Sequence, residues 1–487
     1  MQIRSVLFIM GVLLACIGAS LLLPLWVSFW YADGAFMGVL ASLAIVTGGG
    51  LALAYSNRSE KLLNLTVRDG LAVVGVCWIA ASFAGGLPFV LTSHASITNA
   101  VFEAASGFTT TGATIFGDVE ALPKSLLMWR SLTHWLGGLG IIVLSLVILP
   151  LLGVGGMQLY KAEVTGPTPD KLTPRMHDTA SMLWKVYCLM TAVQTVLLFF
   201  AGMDWFDALN HTFATVATGG FSTRNASIAA FPSPVIQWII IVFMFLAGIN
   251  FALHYHFLCG RGSIYYKDKE CVSYTALLGG GSAIIAVTLV VAGLFSANTL
   301  AELEHVVRAS VFQLVSLCTT TGFVSENYSS WPPLVLCIFL FFMFMGGCAG
   351  STSGGIKTMR FAILMRMAYQ EIFRLLHPHS VRHIKLGGRT IFPEVISGVI
   401  GFLLLYMIVL TLCTALLTTQ DMDLLSAFTA SLTCLSNVGP GLGSVGPVDN
   451  FDHLTTLAKW LLTLCMLLGR LEIYAIIVLF VPEFWRK

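Results

Sequence analysis

Four short segments of threonine, asparagine and glycine recur at nearly even intervals, and their residue types suit the binding of a cation. They are T-T-T-G-A at 109–113, T-G-G-F at 218–221, T-T-T-G-F at 319–323 and S-N-V-G-P at 436–440. Backbone carbonyls arranged in a ring are hard ligands that can replace the hydration shell of an alkali cation. Glycine permits the backbone conformations that turn successive carbonyls toward one axis. One such segment alone would be an ordinary glycine turn, but four copies in one chain indicate one shared cation site.

The composition places these segments in a membrane protein. The 487 residues are 57% hydrophobic and 10% charged, with a mean hydropathy of +0.85, whereas a soluble protein is about 25% charged. The net charge is only +2 and no basic stripe is interleaved with aromatic residues, so we expect no nucleic-acid partner. The apolar segments contain no evident nucleophile–base set or metal cluster, so we expect neither an enzyme nor an organic cofactor.

Ten apolar stretches are long enough to span a bilayer. They run at about 5–30, 36–55, 70–92, 126–152, 179–201, 235–258, 272–296, 333–365, 394–418 and 457–481. An even number of spans places both termini on the same side. Most of the 26 Lys and Arg residues fall on that side, which the positive-inside rule identifies as the cytoplasm. The four glycine segments then all lie on the external side.

Small residues recur in register ahead of the four glycines, which indicates a fourfold internal repeat. The predicted fold is all-α, with four units of helix, short re-entrant helix, filter loop and helix around a pseudo-fourfold pore, after an N-terminal helix pair. A re-entrant helix of about 10–12 residues reaches only about halfway through the hydrocarbon. The loop that follows must therefore be buried in protein or line a water-filled path. The predicted units are 1–60 for the helix pair, then 61–157, 158–262, 263–390 and 391–487.

A glycine- and serine-rich run at 346–355 interrupts the apolar stretch 333–365. The run predicts two half-helices joined by irregular backbone that lines a cavity at membrane depth. A phosphate-binding loop is excluded because Ile356 separates Gly355 from Lys357. An intramembrane serine protease is excluded because the G-x-S-G pattern lacks its leading glycine. A plain helix kink remains the alternative.

Several charged and titratable residues allow two interpretations. Arg470 lies inside the last apolar span, where a charge is costly. It is either a cationic barrier or anchor for the 346–355 run, or half of a structural ion pair. His254 and His256 lack further metal ligands in sequence and are interpreted as satisfied or interfacial. The acidic residues ahead of the loops either concentrate cations at the mouth or are simply solvated; they are Glu103, Asp204, Asp207, Glu302, Glu304, Asp421 and Asp423.

These features together resemble the Trk/Ktr/HKT superfamily of potassium transporters, most closely its bacterial Trk membrane subunits. The likeness rests on the four loops, on the ten spans with an extra N-terminal pair, and on the run G-G-C-A-G-S-T-S-G-G at 346–355. It implies potassium uptake across the bacterial inner membrane through a gated, channel-like selectivity filter, with K⁺ as the transported ion. A secondary potassium transporter coupled to protons or sodium is the alternative.

The resemblance also assigns residues to the filter and to a gate. Glycine at all four equivalent positions resembles the potassium-selective members, whereas the fourth loop departs from the T-x-G pattern. The implied filter residues are Thr110, Thr111, Gly112, Thr218, Gly219, Gly220, Thr320, Thr321, Gly322, Asn437, Val438 and Gly439. The implied gate consists of Gly346, Gly347, Gly350, Ser351, Thr352, Ser353, Gly354, Gly355 and Arg470.

Two protein partners follow from the same resemblance. The superfamily's Trk subunits form homodimers and dock on a cytosolic nucleotide-binding regulatory subunit of the TrkA type. The chain has no G-x-G-x-x-G unit of its own, so nucleotide sensing would come from that subunit. The basic stretch from Lys357 to Arg389 would face it, or would contact anionic membrane lipid.

Overall fold

The computed structural model describes residues 2–58, 66–147, 172–378, 384–386 and 389–486. The predicted all-α fold is confirmed. Within the described residues the only β-structure is a two-residue antiparallel pair, β1 (Lys385–Leu386) with β2 (Arg389–Thr390). The predicted unit boundaries after residues 60 and 157 lie outside the described residues, and the division into units stays a prediction.

Three helices form the N-terminal part: α1 (Ile3–Ser20), α2 (Leu22–Tyr31) and α3 (Phe36–Ser56). Helix α1 packs closely on α3 through glycines, since a Cβ added to Gly11 would lie 2.7 Å from the carbonyl oxygen of Gly50. Helices in lipid gain no hydrophobic energy by associating, so close approach of small residues supplies the contact instead.

The first loop lies between α5 (Ile97–Phe108) and α6 (Lys124–Val147), after α4 (Val67–Ser93). Thr66 begins α4 and Ser96 begins α5, because each side chain accepts a hydrogen bond from a backbone N–H of the first turn. Every residue of α5 from 100 to 108 is buried, so this helix lies inside the protein rather than against lipid.

The second loop lies between α8 (Trp205–Val216) and α9 (Pro234–Ala247), after α7 (Leu172–Phe200). Helix α9 is followed by α10 (Phe251–Leu258) at an angle of 103°, and then by the single turn α11 (Ile264–Lys267). The predicted span at 235–258 is therefore broken into two helices, because an asparagine at 250 begins a new helix by capping it.

The third loop follows α12 (Lys269–Val291) and α13 (Leu300–Cys318). Helix α13 has 19 residues, which is longer than the 10–12 expected of a re-entrant helix. After the loop, α14 (Pro333–Met345) and α15 (Thr358–Leu376) are separate helices. The predicted break within 333–365 is thus observed at 346–357, which we name the intramembrane loop.

The fourth loop follows α16 (Pro393–Thr418) and α17 (Leu424–Ser436) and precedes α18 (Thr456–Arg470). The chain then bends by 115° into α19 (Tyr474–Ile477), and α20 (Pro482–Trp485) ends the described part. This bend was also not predicted, since the apolar run 457–481 continues through it. Two consecutive residues at 472 and 473 have φ of 58° and 57°, values that end a right-handed helix.

Of the ten predicted spans, six correspond to described helices that are long and apolar enough to cross a membrane. The two bent pairs bring that number to eight if each counts as one span. The remaining two predicted spans correspond to α6 and to the broken pair α14 and α15. Helices α5, α8, α13 and α17, which we name the inner helices, end next to the four loops and carry long runs of buried residues.

Candidate functional site

The four loops share one backbone conformation. We number them loop 1 (109–113), loop 2 (217–221), loop 3 (319–323) and loop 4 (436–440). The glycine of each loop has φ between 75° and 96°. The residue two positions earlier also has positive φ, from 52° to 58°, although a side chain there makes such a conformation uncommon. Those residues are Thr110, Thr218, Thr320 and Asn437. Loop 4 therefore matches the others in geometry although its sequence departs from the T-x-G pattern.

Each inner helix ends in the same hydrogen-bonded motif. In loop 1 the N–H of Thr110 donates to the carbonyl of Gly107 at 3.0 Å, and the N–H of Thr111 donates to that of Ser106 at 2.9 Å. This is a Schellman cap, in which a residue in the left-handed conformation turns the chain sharply off the helix. Equivalent bonds are present in the other loops, from Thr218 and Gly219, from Thr320 and Thr321, and from Asn437 and Val438. The repeated cap accounts for the positive φ at this position, which asparagine adopts readily and which a β-branched threonine adopts only when its surroundings hold it there.

The four loops contact one another in a closed ring. A Cβ added to Gly112 would lie 2.2 Å from the carbonyl oxygen of Gly219, the residue before the glycine of loop 2. A carbon and an oxygen that are not bonded do not approach that closely, so only glycine fits at this point of contact. The other loops repeat the contact, with Gly220 against the oxygen of Thr321 (2.0 Å), Gly322 against that of Val438 (2.1 Å) and Gly439 against that of Thr111 (2.5 Å).

Side-chain hydrogen bonds distinguish the four quarters of this ring. In loop 1 the hydroxyls of Thr109 and Thr111 lie 2.7 Å apart, and loop 3 has the same hydroxyl pair at 2.8 Å. Loop 4 instead uses Asn437, whose Nδ2 donates to the Thr111 hydroxyl at 2.9 Å and to the Met466 carbonyl at 3.0 Å. Loops 1 and 3 are thus alike in side chains as well as sequence, and Asn437 joins the last loop to the first.

A buried histidine joins loop 2 to the first inner helix. Nδ1 of His134 lies 2.8 Å from the Gly107 carbonyl, and its Nε2 accepts the N–H of Phe221 at 3.2 Å. The imidazole ring of His134 also stacks on the phenyl ring of Phe221, with the ring centroids 4.1 Å apart. His134 was not among the residues expected from the sequence, since a single histidine within an apolar helix has no motif of its own.

The loops border a cavity of about 130 Å³ that is lined by all four ring glycines. Glu103 lies just beneath its wall but does not face solvent. Its side chain is fully buried and pairs with Arg130 at 2.7 Å. Its carboxylate also accepts the N–H of Ile115 at 2.9 Å. Both expectations for Glu103, a cation-concentrating charge or a solvated one, were wrong, because the side chain closes a buried ion pair behind loop 1.

Other acidic residues ahead of the loops also have local partners. Asp207 is 5% exposed and accepts hydrogen bonds from Thr223 and Arg224, at 2.7 and 2.8 Å. The ion pair between Arg224 and Asp207 is partly exposed, so it contributes little to the free energy of unfolding. Asp204 and Asp423 cap the helices α8 and α17. These carboxylates stabilise the loops and the ends of the inner helices through local hydrogen bonds.

The intramembrane loop packs directly against the ring, on the side away from the cavity. The N–H of Gly354 donates to the Thr320 hydroxyl at 2.8 Å. A Cβ added to Gly354 would lie 2.2 Å from the Ser436 carbonyl oxygen. The Thr352 hydroxyl donates to the Val216 carbonyl at 3.1 Å. The loop therefore touches the ends of three inner helices at once.

The glycines of the intramembrane loop fold it tightly on itself. Gly346, Gly350 and Gly355 all have φ from 70° to 74°. A Cβ added to Gly346 would lie 2.3 Å from the Gly354 carbonyl oxygen. The remaining predicted residues lie in the same fold: Gly347 packs against Ser353, and the Ser351 hydroxyl donates to the Cys348 carbonyl at 2.6 Å. All eight predicted residues of the run are thus brought together beneath the ring.

Arg470 reaches the intramembrane loop. The residue is 3% exposed, and its Nη1 donates to the Thr352 carbonyl at 2.6 Å. Its Nη2 lies 3.4 Å from the Gly137 carbonyl, on the helix that follows loop 1. Glu472, the acid two residues further along the chain, pairs with Arg360 at 2.7 Å. Of the two interpretations left open, this geometry matches the anchor for the loop, and no ion pair of Arg470 is recorded among the described residues.

A histidine expected to be satisfied has its two hydrogen bonds. The ring nitrogens of His254 lie 2.7 Å from the Tyr265 hydroxyl and 2.9 Å from the Leu246 carbonyl. No group of three or more potential metal ligands occurs in the part of the chain that the structure describes. The interpretation of His254 as a satisfied residue is confirmed.

Comparison with known proteins identifies the family to which this chain belongs. Residues 39–487 match the family model described as TrkH, cation transport protein. The chain is 39% identical over 491 aligned positions to the Trk system potassium uptake protein TrkH of Escherichia coli K12, with both chains fully covered. It is 35% identical to the TrkG protein of the same strain, over all of this chain and 99% of that one. The crystal structure of the potassium transporter TrkH from Vibrio parahaemolyticus matches with a TM-score of 0.91 at 37% identity, covering both chains fully. The chain therefore belongs to the TrkH family of cation transport proteins.

Proposed function

We propose that this protein takes up potassium ions across the bacterial inner membrane through a gated, channel-like selectivity filter. The observation that carries the proposal is the closed ring, in which each loop glycine lies against the carbonyl of the next loop. Such a ring places backbone oxygens from four loops around one axis, the arrangement that replaces the hydration shell of an alkali cation. The names of the relatives, which are potassium uptake proteins, support potassium as that cation.

The electrostatics of the inner helices favour a cation at the same place. Each inner helix ends at its loop, and a helix C-terminus carries about half a negative charge. Four such ends at one ring attract a positive ion and repel an anion. The filter we propose consists of the backbone at 110–112, 218–220, 320–322 and 437–439, which includes the fourth loop because its backbone matches the other three.

We assign the gate to the intramembrane loop. Its contacts with Thr320 and Ser436 lie directly at the ring, so an ion leaving the ring toward the cytoplasm has to pass it. Arg470 holds the loop by the Thr352 carbonyl and adds a positive charge beneath the filter. Conduction then requires the loop to move away from the ring, and the arginine bond is one of the contacts that such a movement breaks.

The assembly follows the family pattern in this proposal. Both termini lie in the cytoplasm, as the basic residues indicate. Two copies form a homodimer, and a cytosolic nucleotide-binding subunit of the TrkA type controls the gate. The name "Trk system" of the relatives supports a multi-subunit uptake system.

Growth rescue tests the proposed function. A bacterium that lacks its own potassium uptake systems is given this gene, with and without its regulatory subunit, and growth is followed as external potassium is lowered. We expect rescue at low potassium when both are present. Failure under both conditions, with the protein present in the membrane, would contradict potassium uptake. Flux in purified liposomes that stops without a proton or sodium gradient would instead favour the coupled transporter.

A further inference from the structure

One carboxylate from another helix binds both the intramembrane loop and the first turn of the helix that follows it. Glu270 lies in the first turn of α12 and is 8% exposed. Its Oε1 accepts the backbone N–H of Ala349 at 2.9 Å and the backbone N–H of Met359 at 3.0 Å. These two amides flank the part of the loop that touches the ring. One oxygen therefore joins an early residue of the loop to the first turn of α15.

The second of these bonds does the work of a helix cap. Helix α15 begins at Thr358, so the Met359 amide is one of the first N–H groups that have no partner inside the helix. The residue at the N-cap position is Lys357, which has φ of 79° and offers no side-chain acceptor. Its ammonium donates instead to the Ser353 carbonyl at 3.0 Å. Glu270 therefore supplies from another helix the acceptor that α15 lacks, and its negative charge suits the positive end of the helix.

We propose that Glu270 is a positioning residue that holds the intramembrane loop in its blocking position beneath the filter. The proposal rests on the gating role assigned above. Both bonds end on Glu270. Helix α15 therefore cannot move away from α12 without breaking the bond to Met359, and the loop cannot move away from α12 without breaking the bond to Ala349. Opening thus has to break contacts with Glu270 in addition to the Arg470 contact on the other side of the loop.

Potassium efflux from liposomes tests this role, in the absence of any regulatory subunit. Glu270→Ala removes the acceptor, and Glu270→Asp keeps the charge but is too short by one methylene to serve both amides. Hydrogen bonds to a charged acceptor are strong enough that losing them shifts the open fraction about tenfold, so we expect about tenfold faster efflux from both variants. Glu270→Gln keeps an oxygen at the same reach, and we expect slower efflux from it than from Ala or Asp. Glu394→Ala, an exposed acid in the first turn of α16, is the matched control.

A second measurement separates release of the loop from general damage. The potassium-to-sodium flux ratio should stay at the wild-type value in all Glu270 variants, because the ring is not altered. If Ala fails to give folded protein, Asp carries the comparison. Wild-type efflux from both Ala and Asp, equal acceleration in all three variants, or loss of the flux ratio would each overturn the proposal. Absence of potassium flux in the wild-type protein, with and without its regulatory subunit, would refute the proposed function instead.

Discussion

Replacing a ring glycine by serine tests the proposed filter most directly. We choose Gly112 and Gly322, the glycines of the two loops that share the same threonine pair. A Cβ at these positions would lie 2.2 and 2.1 Å from the carbonyl oxygens of Gly219 and Val438. Real Cβ atoms stay at least 3.0 Å from such atoms, so each serine has to push the neighbouring loop back by about 0.8 Å or more.

The substitution also strains its own backbone. The two glycines have φ of 83° and 75°, and a side chain in the left-handed region costs about 1–2 kcal/mol. The strain can be relieved only by moving the loop, so either response displaces carbonyl oxygens of the ring. A filter selects by the size of its cavity or by the field of its carbonyls, and a displaced carbonyl alters both. We expect the preference for potassium over sodium to fall on the order of tenfold, or about 1.4 kcal/mol.

The assay is uptake of potassium and sodium measured side by side in liposomes that contain the purified variant. Gly279→Ser is the matched control, because a Cβ on this exposed glycine of α12 would meet nothing within 4 Å. Its flux ratio should equal that of the wild type. An unchanged ratio in both ring variants, with normal amounts of folded protein, would refute the carbonyl ring as the selective element.

Three further predictions concern the proposed gate and the ion pair behind loop 1. Arg470→Ala removes the 2.6 Å bond to the intramembrane loop, and we expect faster regulator-free potassium efflux; an efflux rate equal to the wild type would contradict the anchor. Gly346→Ala places a Cβ 2.3 Å from the Gly354 oxygen, and we expect the distorted loop to allow faster potassium efflux in the same assay. Gly398→Ala, where a Cβ would meet nothing within 4 Å, should leave the efflux rate unchanged. Glu103→Ala leaves the Arg130 guanidinium buried without its carboxylate, and we expect the free energy of unfolding to fall by roughly 3–5 kcal/mol. The thermal unfolding midpoint in detergent measures this loss, with Glu120→Ala at an exposed position as the control. A midpoint for Glu103→Ala no lower than that of the control would show that the pair contributes nothing.

The four loops could be predicted because their geometry depends on short-range chemistry. A Schellman cap is closed by hydrogen bonds between residues at most five positions apart, and the glycine that follows it recurs visibly in the sequence. Even Asn437 fits, since asparagine enters the left-handed region more readily than most residues. The break at 346–355 was visible for the same reason, because a dense run of glycine and serine does not continue an apolar helix.

Contacts between distant helices could not be predicted in this way. Glu103 was placed among external acids because nothing near it in sequence indicates Arg130 as its partner. The bend after α18 was hidden by apolar residues on both sides, and the bend after α9 left only a glycine and an asparagine as signals. Glu270 preceded a predicted span as an ordinary first-turn acid. Its partners lie 79 and 89 residues away, one in the intramembrane loop and one in the first turn of α15, and nothing near Glu270 in sequence indicates either amide.

The closed ring has a consequence for how the protein is made. Its last contact joins Gly439 to the carbonyl of Thr111. Loop 1 therefore cannot contact loop 4 until nearly the whole chain has been synthesised. Synthesis proceeds from the N-terminus, and a ring of four cannot close on three members. Each of the first three loops is thus inserted into the membrane before the site it belongs to exists. Ring closure is therefore a late step of biogenesis, and a chain that ends before residue 439 has about nine-tenths of the protein but no finished ring.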